Sequence, residues 1–395
     1  MKKLIFIMMF ILLSSIVLAT APVIDTVDLT TTNPATNYTI ENLTSTHTFH
    51  DDDGDDVTAV YNWYKEDVLN ATTLITSGLI DYYPFDNDIL DYYGTLDGTN
   101  HGTTQDITDY AVNASFDFTG DYVDLSNDAS LDFTTDFSFS FWFKSSPVSH
   151  WQVVIARDSW TAGLGYCMLI QDRSEGTQLA FYHPSGDYVR GADMNSFITN
   201  TWNHVVVTVS DSGSDNDVII YLNGQENLTG TMTYLTSNPT GTTYIGSRHR
   251  NTGTGTADLF NGNIDEMMIF NRPLTPSEVK QIYYGSAYGG DVMDSSRTSE
   301  GDNWILGITG YDSTEQGVET NSTGVLILSV PLPRIIASWW NAVTNILRAT
   351  INEDGLLYLN GTMIIESITG TYSNDEAYLC VYNNGSIFSK DGACA

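Results

Sequence analysis

Two kinds of side chain in this sequence could do chemistry: clustered aspartates, which suit hard cations, and loop aromatics beside basic residues, which suit polyols or anions. The acidic run Asp51-Asp-Asp-Gly-Asp-Asp56 is no EF-hand, because its glycine stands fourth and no glutamate closes a twelve-residue loop. It reads as a solvated turn. Trp160, in Arg157-Asp-Ser-Trp-Thr-Ala-Gly-Leu-Gly165, reads as a loop residue that either contacts a ligand or lids a sheet edge, whereas Trp142 and Trp202 fall in strand patterns and read as core. Arg248-His249-Arg250, in another loop, either binds an anionic glycan or pairs with surface aspartate. Trp160, Tyr182, Arg248 and His249 form the expected ligand-binding set. No Gly-x-Ser-x-Gly, His-Glu-x-x-His or phosphate loop occurs, so the expectation is a protein that is not an enzyme.

The elements that must carry these residues are announced by composition. Of 395 residues only 16 % are charged, yet Asp and Glu number 49 against 15 Lys and Arg, for a net charge of −34. The 37 aspartates outnumber the 12 glutamates, which favours turns over helix interiors. Such a charge repels phosphate backbones, so nucleic acid is excluded as a partner. Met1-Lys-Lys, the apolar run Leu4 to Leu18 and Ala19-Thr20-Ala21 read as a signal peptide over 1–21, with an uncleaved N-terminal anchor left open. No other segment approaches a membrane span, since Val325 to Trp340 is broken by Pro331, Pro333 and Arg334. Eight Asn-x-Ser/Thr sequons, at Asn37, Asn42, Asn70, Asn113, Asn227, Asn321, Asn360 and Asn384, permit surface glycosylation in an exported chain.

Period-2 alternation dominates. Phe137, Phe139, Phe141 and Phe143 share one face of a strand, with Ser138, Ser140 and Trp142 on the other. Trp202 to Val209 and Val218 to Leu222 are further strands, and Asn223-Gly224 supplies a tight turn. One helix is expected: Thr275 as N-cap, Pro276 first, Glu278 closing a capping box, Val279, Ile282 and Tyr283 as its apolar stripe, Gly285 as its stop. Residues 22–78 offer strands up to one carrying Trp63, and residues 289–330 offer Asn303 to Tyr311, with Trp304, and Gly317 to Ser329. Each piece is too small to close its own sheets, so the two ends are expected to form one immunoglobulin-like sandwich with the unit 79–288 inserted in it. Residues 331–395 form a β-rich tail, in which Ile346 to Met363 alternates as a meander or fibre repeat would.

Within 79–288, a series of local patterns resembles the laminin G-like branch of the concanavalin A-like jelly rolls. The series comprises Tyr83-Pro-Phe-Asp86 with Asp91-Tyr-Tyr-Gly94, Ala114-Ser-Phe-Asp-Phe-Thr-Gly-Asp-Tyr-Val123, the aromatic strand ending at Trp142, Trp202-Asn-His-Val205, Tyr221-Leu-Asn-Gly224, Tyr244-Ile-Gly246, Phe260-Asn-Gly-Asn-Ile-Asp-Glu266 and Phe270-Asn-Arg-Pro-Leu274. The resemblance implies a two-sheet antiparallel sandwich of the lectin type. The flanks resemble the halves of an immunoglobulin-like or PKD-like domain seen in modular secreted proteins of archaea. The fold class expected is therefore all-β.

Jelly rolls resembling this one often hold one calcium ion where the first and last strands meet; by that likeness Asp86, Asp88, Asp91 and Asp265 are the metal candidates. The competing reading makes these residues turn caps that bond local N–H groups. β-Glucanases on this sandwich carry Glu-x-Asp-x-x-Glu along one strand; the nearest approach here, Glu300-x-Asp302, ends in Ile305 and lies outside the unit. Outside the cell thiols pair, so Cys380 and Cys394 are expected to bridge around Asn383-Asn-Gly-Ser386, with Cys167 free and buried. The function expected is a secreted or cell-surface, non-catalytic carbohydrate-binding adhesion protein, calcium-assisted, whose partner is a glycan or glycoprotein on a surface. The alternatives are a surface-layer or fibre component that self-associates through the tail, and an atypical glycoside hydrolase.

Overall fold

The phenylalanines of Phe137–Ser145 all point into a sandwich interior, fully buried beside Val205, Val207, Val209, Ile264 and Ile269. The computed structural model describes residues 19–147, 151–159, 162–173, 176–190, 199–233, 235–238, 240–249, 256–330, 378–381 and 387–390. Among them, one sheet runs Gln225–Met232, Asn216–Leu222, Asn203–Asp211, Phe137–Ser145, Gly262–Phe270, Ser115–Asp117, Thr104–Asp106, with Leu79–Tyr83 also paired to Gly262–Phe270. The facing sheet runs Asp187–Arg190, Gly176–His183, Leu164–Arg173, Gln152–Ser159, Tyr244–Ile245, Tyr122–Asp124, Thr99–His101. All the sheet pairings within this sandwich are antiparallel, and the fold is all-β, with these two sheets forming a jelly-roll sandwich. Asn223 and Gly224, at φ 49° and 74°, make the left-handed two-residue turn joining Asn216–Leu222 to Gln225–Met232.

The serine face of Phe137–Ser145 is buried as well, because the helix Pro276–Ser286 and the loop before it cover it. Ser138 Oγ donates to the Arg272 carbonyl and accepts from the Leu274 N–H, and Trp142 Nε1 donates to Ser286 Oγ at 2.9 Å. The helix begins as its caps dictate, with Thr275 and Glu278 bonding each other's backbone N–H. It does not stop at Gly285. That glycine lies inside the helix, where a Cβ would come within 2.2 Å of the Thr72 backbone, so its role is close approach to a neighbouring strand.

Strands that flank the jelly roll on either side in the sequence meet. Thr58–Lys65 pairs with Asn303–Tyr311 over eight residue pairs, and Leu43–His50 bonds both Val23–Thr31 and Val292–Met293. Trp63 and Trp304, both fully buried, stand edge-to-face at 6.5 Å among Leu29, Leu43, Leu306 and Ile327. The opposite face of the Thr58–Lys65 sheet packs through Val60 and Tyr311 against Val279, Ile282 and Val206. The strand expected over Gly317 to Ser329 is broken into Thr320–Asn321 and Val325–Leu326, because Ser322 Oγ takes the Leu306 N–H that a continuing strand would have bonded.

The chain divides after Val330 into two compact units. Of the second, the described part is the antiparallel pair Tyr378–Val381 and Ile387–Lys390. The expected repeat Ile346 to Met363 and Cys394 of the expected bridge to Cys380 lie outside the described residues, as does the expected signal up to residue 18. Cys167 is free and buried, and its burial holds the thiol far above its ordinary range. Among the described residues no helix is long and apolar enough to cross a membrane.

Candidate functional site

Strand Gly262–Phe270 contains a register slip against Phe137–Ser145, between the pairs Ser140↔Met268 and Trp142↔Asp265. Two residues, Glu266 and Met267, therefore oppose one, and Glu266 takes a left-handed φ of 54°. Ile264 and Met267 keep to the sandwich interior. The inserted residue thus brings Glu266 to the same side as Asp265, where strand alternation would have separated them. Asp86 arrives from the loop after Leu79–Tyr83, where Phe85, at φ 58°, sends its ring into the core against Phe116 and Phe118.

One carboxylate oxygen from each of Asp86, Asp265 and Glu266 lies within 4.8 Å of the others, and all three residues are buried. Asp86 accepts from Thr58 Oγ1 at 2.9 Å, Asn113 Nδ2 at 3.1 Å and the Ala114 N–H at 3.1 Å. Asp265 Oδ2 accepts the Ala111 and Val112 N–H groups, both at 2.9 Å, and Glu266 Oε2 accepts the Tyr82 hydroxyl at 2.9 Å. Asp265 Oδ1 and Glu266 Oε1 are buried with no hydrogen-bond partner. Among the described residues no Lys or Arg forms an ion pair with any of the three. Burial, then the charges of Glu266 and Asp86, push Asp265 well above the usual carboxylate range, and burial followed by Asp86 does the same to Glu266. Burial lifts Asp86 to about 7 against the pull of its hydrogen bonds. Three converging hard oxygen donors, two with free lone pairs and none neutralised by a side-chain cation, fit a divalent cation of the calcium type.

Of the four metal candidates read from the sequence, Asp86 and Asp265 come together here. Asp88 and Asp91 stand outside the group. Asp91 Oδ1 accepts the N–H groups of Tyr82, Tyr93 and Gly94, and its Oδ2 accepts that of Leu96, while Asp88 Oδ1 accepts the Leu90 N–H. These are turn-capping roles. Glu266 was the member that sequence reasoning missed; adjacent acids in a strand point to opposite faces unless a bulge intervenes, and nothing local signals the bulge.

A pH dependence follows. Asp86, at about 7, and Asp81, which burial and the Asp91 charge lift to about 8, bind protons in the folded state that the unfolded chain releases near 4. Their stabilising contribution is complete below that lower value and is lost as pH rises through 7 to 8. Differential scanning calorimetry of the metal-free protein should show the melting temperature falling between pH 7 and 8, above the range in which the depressed His47, His183 and His204 act in the opposite direction, and Asp81→Asn should shrink that fall. A melting temperature that rises over this interval contradicts the assignment.

The expected ligand-binding residues lie elsewhere. Tyr182 is buried on the outer face of the second sheet, its ring 5.5 Å from Trp151 and 5.0 Å from Tyr188. Arg248 is not an open loop cation: it belongs to the short strand Arg248–His249 and is buried, with Nε 2.5 Å from Asp258 and Nη1 3.7 Å from Asp158. His249 is exposed, and its N–H donates to Asp158 Oδ1 at 3.2 Å. Arg157 and Asp158 sit within strand Gln152–Ser159 rather than in a loop, and Trp160 lies outside the described residues. Trp202, read as core, instead stands half-exposed just before Asn203–Asp211, its Nε1 donating to Asp109 Oδ1 at 2.9 Å.

Residues 117–280 match the model of the concanavalin A-like lectin/glucanases superfamily, Laminin_G_3. The chain is similar to domain 4 of AbnA, a GH43 extracellular arabinanase from Geobacillus stearothermophilus, solved in complex with arabinotriose: 22 % identity, 52 % of this chain and 98 % of that one, TM-score 0.41. It is also similar to the binding domain of Paraclostridial Mosquitocidal Protein 1 (15 % identity, 54 % and 55 %, TM-score 0.42) and to the botulinum neurotoxin serotype G binding domain (14 %, 52 % and 50 %, TM-score 0.38). The similarity spans about half the length of these two toxin domains. No curated protein matches the sequence.

Proposed function

We propose that this chain is a secreted or cell-surface, non-catalytic carbohydrate-binding protein whose jelly roll holds calcium through Asp86, Asp265 and Glu266. The observation that carries the reading is the concanavalin A-like lectin match over residues 117–280, on a sandwich bearing a carboxylate triad with unpartnered oxygens. A bound cation would neutralise the three acids and hold the segment Ala111–Asn113, whose backbone and side chain already bond Asp265 and Asp86. A glycosidase needs its two carboxylates facing an open cleft; the burial of Asp265 and Glu266, at 0 % and 1 % exposure, supports structural ligation instead. The signal expected at residues 1–21 supports export. The pairing of strands from 22–78 with strands from 289–330 supports an immunoglobulin-like domain into which the jelly roll is inserted.

Co-sedimentation with insoluble polysaccharides, combined with an assay for new reducing ends, tests the reading. The chain is expected to leave the supernatant with at least one polysaccharide and to release no reducing ends. Release of reducing ends would make it a glycosidase. Absence of binding together with concentration-dependent assembly would favour the surface-layer or fibre alternative.

A further inference from the structure

Of the residues expected to recognise sugar, Tyr182 lies on the second sheet and Arg248 and His249 on a separate two-stranded pair, but another group of aromatic side chains lines a cleft away from them. A cleft of about 430 Å³ opens between residues 110–113 and the segment that follows the helix; ligand sites of roughly 300–1,000 Å³ are usual. Tyr110, Trp142, Trp202 and Tyr288 line it, together with Asn113 and Asp291. Tyr110 and Tyr288 are 42 % and 50 % exposed, so their rings are not held there by core packing. Trp202 is fixed in orientation through Asp109, whose carboxylate also bonds Lys144. Pre-set rings lower the entropy cost of binding.

We infer that this cleft is a subsite for neutral sugar rings, stacked by Tyr110, Trp202 and Tyr288 and hydrogen-bonded by Asn113 and Asp291. The inference deepens the carbohydrate-binding reading and rests on it. Aromatic faces take the C–H side of a pyranose or furanose, and a carboxylate and an amide at the rim satisfy hydroxyls. Neutrality follows from charge: among the described residues no Lys, Arg or His lines the cleft, Asp291 contributes an acid, and the chain carries −34 overall. A uronic or sialic acid would enter against repulsion.

The cleft is also tied to the carboxylate triad. Ala111 donates its N–H to Asp265 and Asn113 donates Nδ2 to Asp86, so one wall of the cleft hangs from the groups that would hold the cation. Occupancy of the metal site therefore favours the shaped cleft, and by reciprocity a bound sugar favours the ion.

The test is calorimetric titration of the calcium-loaded full chain with maltotriose, mannotriose, galactotriose and arabinotriose, and in parallel with sialyllactose and digalacturonate. Binding of a neutral oligosaccharide is expected, weakened about tenfold or more by Trp202→Ala and by Tyr288→Ala, with the anionic probes inert. Tyr288→Ala, at a half-exposed position, should keep its calcium-induced rise in melting temperature, which separates loss of the cleft from loss of fold. Neutral binding that survives both substitutions, or tighter binding of an anionic probe, overturns the cleft assignment and leaves the carbohydrate reading in place. Failure of every probe to bind the unsubstituted chain overturns both.

Discussion

Calcium added to the metal-stripped protein is expected to raise its melting temperature by about 4 °C once the ion is at a hundredfold excess over its Kd. That concentration stabilises the folded state by about 2.7 kcal/mol through mass action, and the unfolding entropy of a unit of this size converts it to a shift of that order. The physical source is the Asp86, Asp265 and Glu266 group, where three buried carboxylates repel one another and two oxygens lack partners. Asp265→Asn separates this account from simple turn capping. The amide oxygen can still accept the Ala111 and Val112 N–H groups, but one negative charge is gone. The calcium-induced rise should largely vanish, while the metal-free protein melts no lower than the unsubstituted one, because an amide sits uncharged in a dry site without the proton that burial makes Asp265 retain. An unsubstituted protein whose melt is indifferent to both calcium and EDTA would show that the three acids share protons and hold no ion.

The second large effect concerns the two ends of the chain. Trp304→Ala should cost about 3–5 kcal/mol, as expected for a fully buried tryptophan replaced by a methyl group. If the flanks are one domain, the damage crosses the jelly roll in sequence. Hydrogen exchange should then report lost protection in Thr58–Lys65 as well as in Asn303–Tyr311, because the two strands share eight residue pairs and the Trp63 ring packs edge-on to Trp304. Phe137–Ser145, inside the other core, should keep its protection. Loss confined to Asn303–Tyr311, with Thr58–Lys65 unchanged, contradicts a shared domain. The seam through Val60, Tyr311, Val279 and Ile282 predicts in addition that the helix Pro276–Ser286 loosens partway.

What was legible in the sequence was local. The alternating phenylalanines, the Asn223-Gly224 turn and the Thr275–Glu278 capping box each write their geometry within a few residues, and each is found as read. Gly285 has the residue type of a helix stop, but the strand beside it, with Thr72 against the glycine, decides its role. Sequence periodicity cannot show that contact. Of the triad, Asp86 and Asp265 came from a family likeness, and Glu266 was hidden because a bulge reverses the rule that neighbouring strand residues face apart. The cleft was hidden for a similar reason: Trp202 looks like a core tryptophan in its own strand pattern, and only the fold brings it beside Tyr110 and Tyr288. Of the two readings the sequence leaves open for Arg248, anion binding or pairing with aspartate, the fold supplies the second, through Asp258 and Asp158.

The most direct test of calcium-assisted sugar recognition is a glycan array probed with the full chain in calcium and again after EDTA. Signals on neutral glycans that fall with EDTA and return when calcium is restored are the predicted result. Equal signals in both conditions would contradict the role of the ion, and an array without signals in calcium would contradict sugar recognition itself.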